Sequence, residues 1–248
     1  MVRPLVVIPA RMGSSRLPGK ALAPIGGRPM ILHVLEKALA AAIGPVAVAT
    51  DSAEIARIVE AAGGRAVTTG GSHACGSDRI SEAAAALDPA TAHDVIVNLQ
   101  GDQPDIPPGA LASALEPLAD PSVDIATLAA PAAQGERDDP DVVKLIGAAV
   151  APRRMRALYF TRAPAPYGEG PHYHHIGVYA FRRAALARFA GLPPSPLAIR
   201  ERLEQLRALE AGMRIDAMIL DKAPRGVDTS ADLQRLRDAQ AELQRSRR

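Results

Sequence analysis

The sequence has no tryptophan, three phenylalanines and four tyrosines. So few rings argue against the stacking platforms that hold single-stranded nucleic acid. It has one cysteine, Cys75, so no internal disulfide framework is available, and the composition fits a reducing compartment. An excess of one charge is missing as well. The 29 Lys and Arg residues against 27 Asp and Glu leave a net charge of +2, which does not make the molecule a magnet for nucleic acid. Long apolar runs are absent. Leu5 to Ile8 is too short for a signal peptide's apolar core, and nothing approaches the ~20 residues of a membrane span. The expectation is a soluble cytoplasmic protein without nucleic-acid or membrane partners.

Apolar residues make up 48 % of 248 residues, enough to bury one or two cores. Basic residues gather locally at Arg11, Arg16 and Lys20, at Arg153, Arg154 and Arg156, and in the tail at Arg245, Arg247 and Arg248. The first hundred residues alternate between two periods. Leu5 to Ile8 reads as a buried strand ended by Pro9. Over 29–42, Met30, Ile31, Val34, Leu35, Ala38 and Leu39 recur at helical spacing, with Pro29 in the first turn and Gly44-Pro45 as the stop. A strand at 46–50 leads to Asp51-Ser52, a cap for a helix whose apolar face is Ile55, Ile58, Val59 and Ala62. A short strand at 66–68, a helix at 77–87 and a strand at 94–99 follow. Strand–helix alternation with short connections predicts an α/β fold with a parallel sheet between helices. Beyond residue 120, strands are expected at 125–129, 142–147, 155–160, 176–181 and 214–220, and helices at 183–190, 196–211 and 230–245. No domain boundary or repeat interrupts the chain, so 1–248 reads as one domain.

Residues 10–20, Ala-Arg-Met-Gly-Ser-Ser-Arg-Leu-Pro-Gly-Lys, follow the first strand, where open parallel sheets bind ligands. Gly13, Ser14, Ser15 and Gly19 can bring backbone N–H groups to a phosphate, and Arg11, Arg16 and Lys20 add positive charge. The loop is neither a Walker A loop nor a dinucleotide fingerprint. A solvated basic loop accounts for it equally well. Gln100-Gly101-Asp102-Gln103-Pro104 follows the fourth strand, where a carboxylate can hold Mg²⁺ against a triphosphate, or where the residues simply form a turn. Asp228 precedes an apolar-periodic helix and reads first as a cap, while Asp221 and Asp232 read as solvated. His172, His174 and His175 invite a zinc reading. Against it, no fourth ligand is near, and adjacent His174 and His175 point to opposite faces of a strand.

The segment Ile8-Pro-Ala-Arg-Met-Gly-Ser-Ser-Arg-Leu-Pro-Gly-Lys20 resembles the signature of 3-deoxy-manno-octulosonate (Kdo) cytidylyltransferases. The resemblance continues through Gly27–Ile31, Val48–Asp51, Glu60–Gly64, Val97–Pro104, His175–Tyr179, Leu203–Arg207 and Gly226–Thr229. It implies a nucleotide-diphospho-sugar-transferase-like, Rossmann-like fold with a mainly parallel sheet flanked by helices and a β-rich dimerisation insertion within about 120–182. The implied reaction transfers CMP from CTP to the anomeric hydroxyl of Kdo, for lipopolysaccharide synthesis, in a cytoplasmic homodimer that uses Mg²⁺. Of the site residues, the resemblance assigns Arg11, Lys20, Asp102 and Asp228 to catalysis, the two aspartates as metal ligands. Ala10, Arg11, Gly13, Ser14, Lys20, Ser77, Arg79, Gln100 and Asp102 would meet the nucleotide. Gln100, Arg162, His175, Tyr179, Glu204 and Gln205 would meet the sugar. The chain departs from the family between Arg162 and His175, where it is shorter, at Tyr167, where Trp is common, and at Ala198, where Glu is common. These departures leave another acidic sugar open as the acceptor. A catalytically silent nucleotide-binding module is the remaining alternative.

Overall fold

The computed structural model describes residues 2–13, 17–73 and 75–245, apart from the side chains of Leu243 and Gln244. Ser14, Ser15, Arg16, Arg247 and Arg248 lie outside these residues.

The chain opens with β1 (Pro4–Ala10), then a hairpin of β2 (Pro24–Ile25) and β3 (Arg28–Pro29). Next come α1 (Met30–Ala40), β4 (Val46–Thr50), α2 (Ala53–Ala61), β5 (Ala66–Thr68), α3 (Gly76–Leu87), β6 (Val95–Leu99) and α4 (Pro108–Ser113). The second half holds β7 (Ile125–Pro131), β8 (Lys144–Ala151), β9 (Arg154–Thr161), β10 (Tyr173–Arg182), α5 (Arg183–Ala190), α6 (Pro196–Glu201), α7 (Leu206–Glu210), β11 (Ile215–Ile219) and α8 (Ser230–Arg245). The strands apart from β2 and β3 form one sheet in the order β5-β4-β1-β6-β10-β7-β11-β9-β8.

The α/β class stands, but the sheet is mixed rather than mainly parallel. Pairings from β5 to β6 are parallel, as is β7 with β11, whereas β10 runs antiparallel to both β6 and β7. The reason lies in the connections. Helical crossovers return the chain in the same direction in the first half, while the short turn between β8 and β9 reverses it. The β-rich stretch expected within 120–182 is β7 to β10, and it prolongs the same sheet.

Core packing follows the pleat. On β1, Val6 and Ile8 face a cluster with Val34, Leu35 and Ile55, while Leu5 and Val7 face Ile80, Ile96 and Phe181. Both faces are covered, which is why the strand reads as an unbroken apolar run. Pro9 does not end it. Pro9 stays in register with Ala49 of β4, but its missing N–H faces the β6 side, where the register has already stopped at Val7, so no ladder bond is lost.

One expected helix splits in two. Over 196–211, α6 stops at Arg202, whose φ of 56° and ψ of 46° are left-handed. The Leu203 N–H then closes back on the Ala198 carbonyl at 3.1 Å, the six-to-one bond of a Schellman ending. Leu203, Glu204 and Gln205 thus form a turn rather than a solvated helix face.

Candidate active site

β1 and β6 run side by side and in parallel, so the loops that follow them open at the same edge of the sheet. Ala10 and Arg11 leave one strand; Gln100, Gly101 and Asp102 leave the other. The approach is tight at Gly101, where an added Cβ would lie 2.8 Å from the Pro9 carbonyl oxygen. A cleft of about 250 Å³ opens there, lined by both loops, by Lys20, by His73, Cys75, Gly76 and Arg79, and by Asp228.

Lys20 stands at its centre. Gly19, at φ 68°, turns the chain so that the Lys20 ammonium donates to Asp102 Oδ2 at 2.7 Å and to Asp228 Oδ1 at 3.0 Å. The backbone holds the two acidic loops together as well, since the Val227 N–H donates to the Asp102 carbonyl at 2.9 Å. Asp228 is not a helix cap. That task falls to Thr229, whose Oγ1 accepts the Asp232 N–H at 3.2 Å, while Asp232, expected to be solvated, reaches back with Oδ2 to accept the N–H groups of Asp228 and Thr229 at 3.0 and 2.8 Å. These bonds hold its carboxyl below the usual range against the opposing effect of burial. Asp221 is exposed and pairs with Arg153.

Two carboxylates that converge on one cation form a hard oxygen donor set. This fits Mg²⁺, which commonly takes one or two carboxylates and fills its shell with waters and phosphate oxygens. Among the described residues no larger cluster of His, Cys, Asp and Glu gathers. The three histidines of the 172–175 segment turn to different partners: His172 to the Pro166 carbonyl, His174 to Glu136, His175 to Thr127.

The cleft wall is built from α3. Arg79 is 3 % exposed, and its guanidinium donates to Thr69 Oγ1 at 2.6 Å and Asp51 Oδ2 at 2.9 Å. Asp51 therefore orients a cleft arginine, and Ser52 alone caps α2, its hydroxyl accepting from the Ile55 N–H at 3.4 Å. His73 is held by Glu82, which also accepts the Gly70 N–H. Beneath the surface runs a polar chain. Glu204 Oε1 accepts from the Ser77 hydroxyl at 2.9 Å, Asn98 Nδ2 donates to that hydroxyl at 3.3 Å, and Gln100 Nε2 donates to Asn98 Oδ1 at 3.3 Å. Fully buried Asn98 thereby connects Ser77 to a cleft residue. Its signal in the sequence was a lone amide inside a strand of apolar residues.

The residues assigned to the sugar are spread more widely. Glu204 and Gln205 sit on the turn before α7, and Gln205 Nε2 is buried without a partner among the described residues. His175 and Tyr179 do not line the cleft; both lie in the core under it. The His175 ring meets Phe160 edge-on at 4.9 Å, and burial pushes its pKa down to about 3, so it is neutral. Burial, with the Glu204 charge, pushes the Tyr179 phenol well above its usual value. Arg162 is committed elsewhere, donating to the carbonyls of Glu201 at 3.1 Å and Pro140 at 2.8 Å. Gly13 also lies off the cleft lining.

The cytidylyltransferase family model matches residues 5–215. A 3-deoxy-manno-octulosonate cytidylyltransferase from Rhodopseudomonas palustris is 64 % identical over 94 % of this chain and 96 % of its own. One from Methylobacterium radiotolerans is 61 % identical over 96 % of each. The chain belongs to the 3-deoxy-manno-octulosonate cytidylyltransferase family. A solved CMP:2-keto-3-deoxy-manno-octonic acid synthetase complexed with CTP superposes with a TM-score of 0.87 at 39 % identity, covering 97 % of this chain and 99 % of the other. A nucleotidyl transferase from Methanothermobacter thermautotroptrophicus, at 18 % identity and a TM-score of 0.61, shares the fold. Within this cytidylyltransferase fold, Ala10, Arg11, Lys20, Arg79, Gln100, Asp102 and Asp228 meet in one cleft, with Ser77 and Glu204 bonded to each other.

Proposed function

We propose that this cleft transfers CMP from CTP to the anomeric hydroxyl of Kdo, releasing pyrophosphate and activating the sugar for lipopolysaccharide synthesis. The chain is a nucleotidyltransferase. The observation that carries the assignment of roles is the meeting of Asp102 and Asp228 on Lys20, beside Arg11. In the reaction the sugar oxygen bonds to the α-phosphorus as the bond to the β-phosphate breaks, and the hydroxyl proton is lost to solvent. Asp102 and Asp228 would hold Mg²⁺, which when bound spreads triphosphate charge and acidifies the attacking hydroxyl. Arg11 and Lys20 supply fixed positive charge where the phosphates lie. No side-chain nucleophile takes part. Cys75, which lines the cleft, is kept a thiol by burial and by the Glu204 carboxylate, both of which raise its pKa.

A homodimer in the cytoplasm completes the reading. It is supported by β8, an edge strand whose run Gly147–Ala151 carries no charge to guard it, with Val150 46 % exposed and Leu158 on β9 57 % exposed. Among the described residues no helix is long and apolar enough to cross a membrane.

The deciding experiment is pyrophosphate release with Mg²⁺ and CTP, with and without Kdo, alongside other nucleotides and sialic acid. Release that needs both CTP and Kdo is the expected result. Because Arg162 is tied to backbone carbonyls, release with a different acidic sugar alone would move the acceptor and keep the transfer. No release with any pair would leave a silent nucleotide-binding module.

A further inference from the structure

Arg207 lies on the first turn of α7, three residues beyond Glu204. It is 8 % exposed despite its charge. Its Nη2 donates to Asp78 Oδ1 at 2.8 Å and lies 3.5 Å from Cys75 Sγ, and the guanidinium sits 4.2 Å from the centre of the Phe189 ring. Its Nε is buried with no hydrogen-bond partner among the described residues. A guanidinium taken from water with one donor unmet is costly, and stability alone is weak grounds for keeping it, since an apolar residue fills such a place as well.

What Arg207 grips is specific. Asp78 belongs to the first turn of α3, and Cys75, Gly76 and Arg79 from the same stretch line the cleft. Glu204 holds the neighbouring residue, Ser77, through its hydroxyl at 2.9 Å and its N–H at 3.4 Å. The turn at 203–205 and the start of α7 thus clamp two successive residues of α3. We infer that Arg207 is a positioning residue: through Asp78 it fixes the nucleotide wall of the cleft against the turn that carries Glu204 and Gln205. It touches no substrate itself. The inference rests on the reading of the cleft as a cytidylyltransferase site.

The test uses Arg207→Met, Asp78→Asn, the double variant and Arg207→Lys, with steady-state kinetics and thermal melts on each. Each of the first two raises KM for CTP about tenfold with kcat within about threefold, as loss of nucleotide positioning requires. The double variant is no worse than the poorer single one, because both remove the same link. Arg207→Lys, which keeps the charge toward Asp78, recovers part of the KM. Lower melting temperatures with an unchanged KM for CTP would overturn the inference, as would effects that multiply in the double variant. If Arg207→Met does not fold, Asp78→Asn alone decides by its KM. Failure of the underlying reading is distinct, because the unaltered protein would then release no pyrophosphate.

Discussion

The Lys20 ammonium stands 2.7 Å from Asp102 and 3.0 Å from Asp228, joining carboxylates that lie 126 residues apart in the chain (228 − 102). It is 12 % exposed, so water screens the three charges only in part. A cation at this point is what lets the acidic loops after β6 and before α8 close on each other.

Replacing Asp102 with Asn abolishes turnover at ordinary Mg²⁺ concentrations, a loss of at least about 100-fold in kcat. The fold survives, because the Lys20–Asp228 pair and the Val227–Asp102 backbone bond remain. Rates across a Mg²⁺ titration, with circular dichroism of the variant, check this. Near-normal turnover would remove the metal assignment.

Lys20→Met leaves two carboxylates facing each other without their cation. The expected loss in kcat/KM for CTP is about 10²- to 10³-fold. Mg²⁺ should raise the melting temperature of this variant more than that of the unaltered protein, since the metal then supplies the missing charge. Equal Mg²⁺ shifts in the two proteins would count against a shared cation site.

His175 makes the protein sensitive to acid. Its folded pKa is pushed down to about 3, while the unfolded chain keeps the ordinary value near 6.5. The unfolded state therefore binds the extra proton first, and stability falls as the pH drops from about 6.5 toward 3. At pH 5 the loss is about 2 kcal/mol, from 1.5 units at 1.36 kcal/mol each. His175→Asn has no such proton to gain. Urea midpoints at pH 7.5 and 5.0 should diverge less for the variant than for the parent, and parallel behaviour would contradict a neutral buried ring.

Val150→Lys on the edge strand β8, with Leu158→Lys on its neighbour β9, places charge at the open end of the sheet. Sedimentation should show a dimer for the parent and a monomer for the variant, with monomer stability within about 0.5 kcal/mol for each exposed replacement. A variant that stays dimeric would place the interface elsewhere.

Much of the first half was legible because its signals are local. The runs at 46–50 and 66–68 became strands with those bounds, and the helix read over 29–42 became α1 over Met30–Ala40, with Pro29 at its N-cap rather than in its first turn. The loops bearing Lys20 and Asp102 could be picked out because each follows a strand. Where the reading went astray, the deciding bonds were distant or unusual. No glycine marks the break at Arg202, so one continuous helix was expected there. Nothing near Asp51 shows that its partner is Arg79, whereas Thr229-x-x-Asp232 has the spacing of a capping box, a local signal that a reading of Asp232 as solvated overlooks. Antiparallel β10 was invisible as such, because strand direction is set by where the chain returns and not by which residues it contains. His175 and Tyr179 match the family pattern, yet their depth depends on packing between β10, β7 and β9 that no local pattern encodes.

β10 also governs how the molecule can move. It bonds to β6 over Val178–Arg182 and to β7 over most of its length, so strands from the first and second halves of the chain share one continuous ladder. A sheet joined in this way resists hinging between its halves, since shearing them apart would break a row of backbone hydrogen bonds at once. What can differ between states without breaking that ladder is then the set of connections at the strand ends, such as 221–229, which carries Asp228 to the cleft. Stiffening the sheet further would accordingly leave turnover unchanged, whereas changes in the connections that carry cleft residues would not.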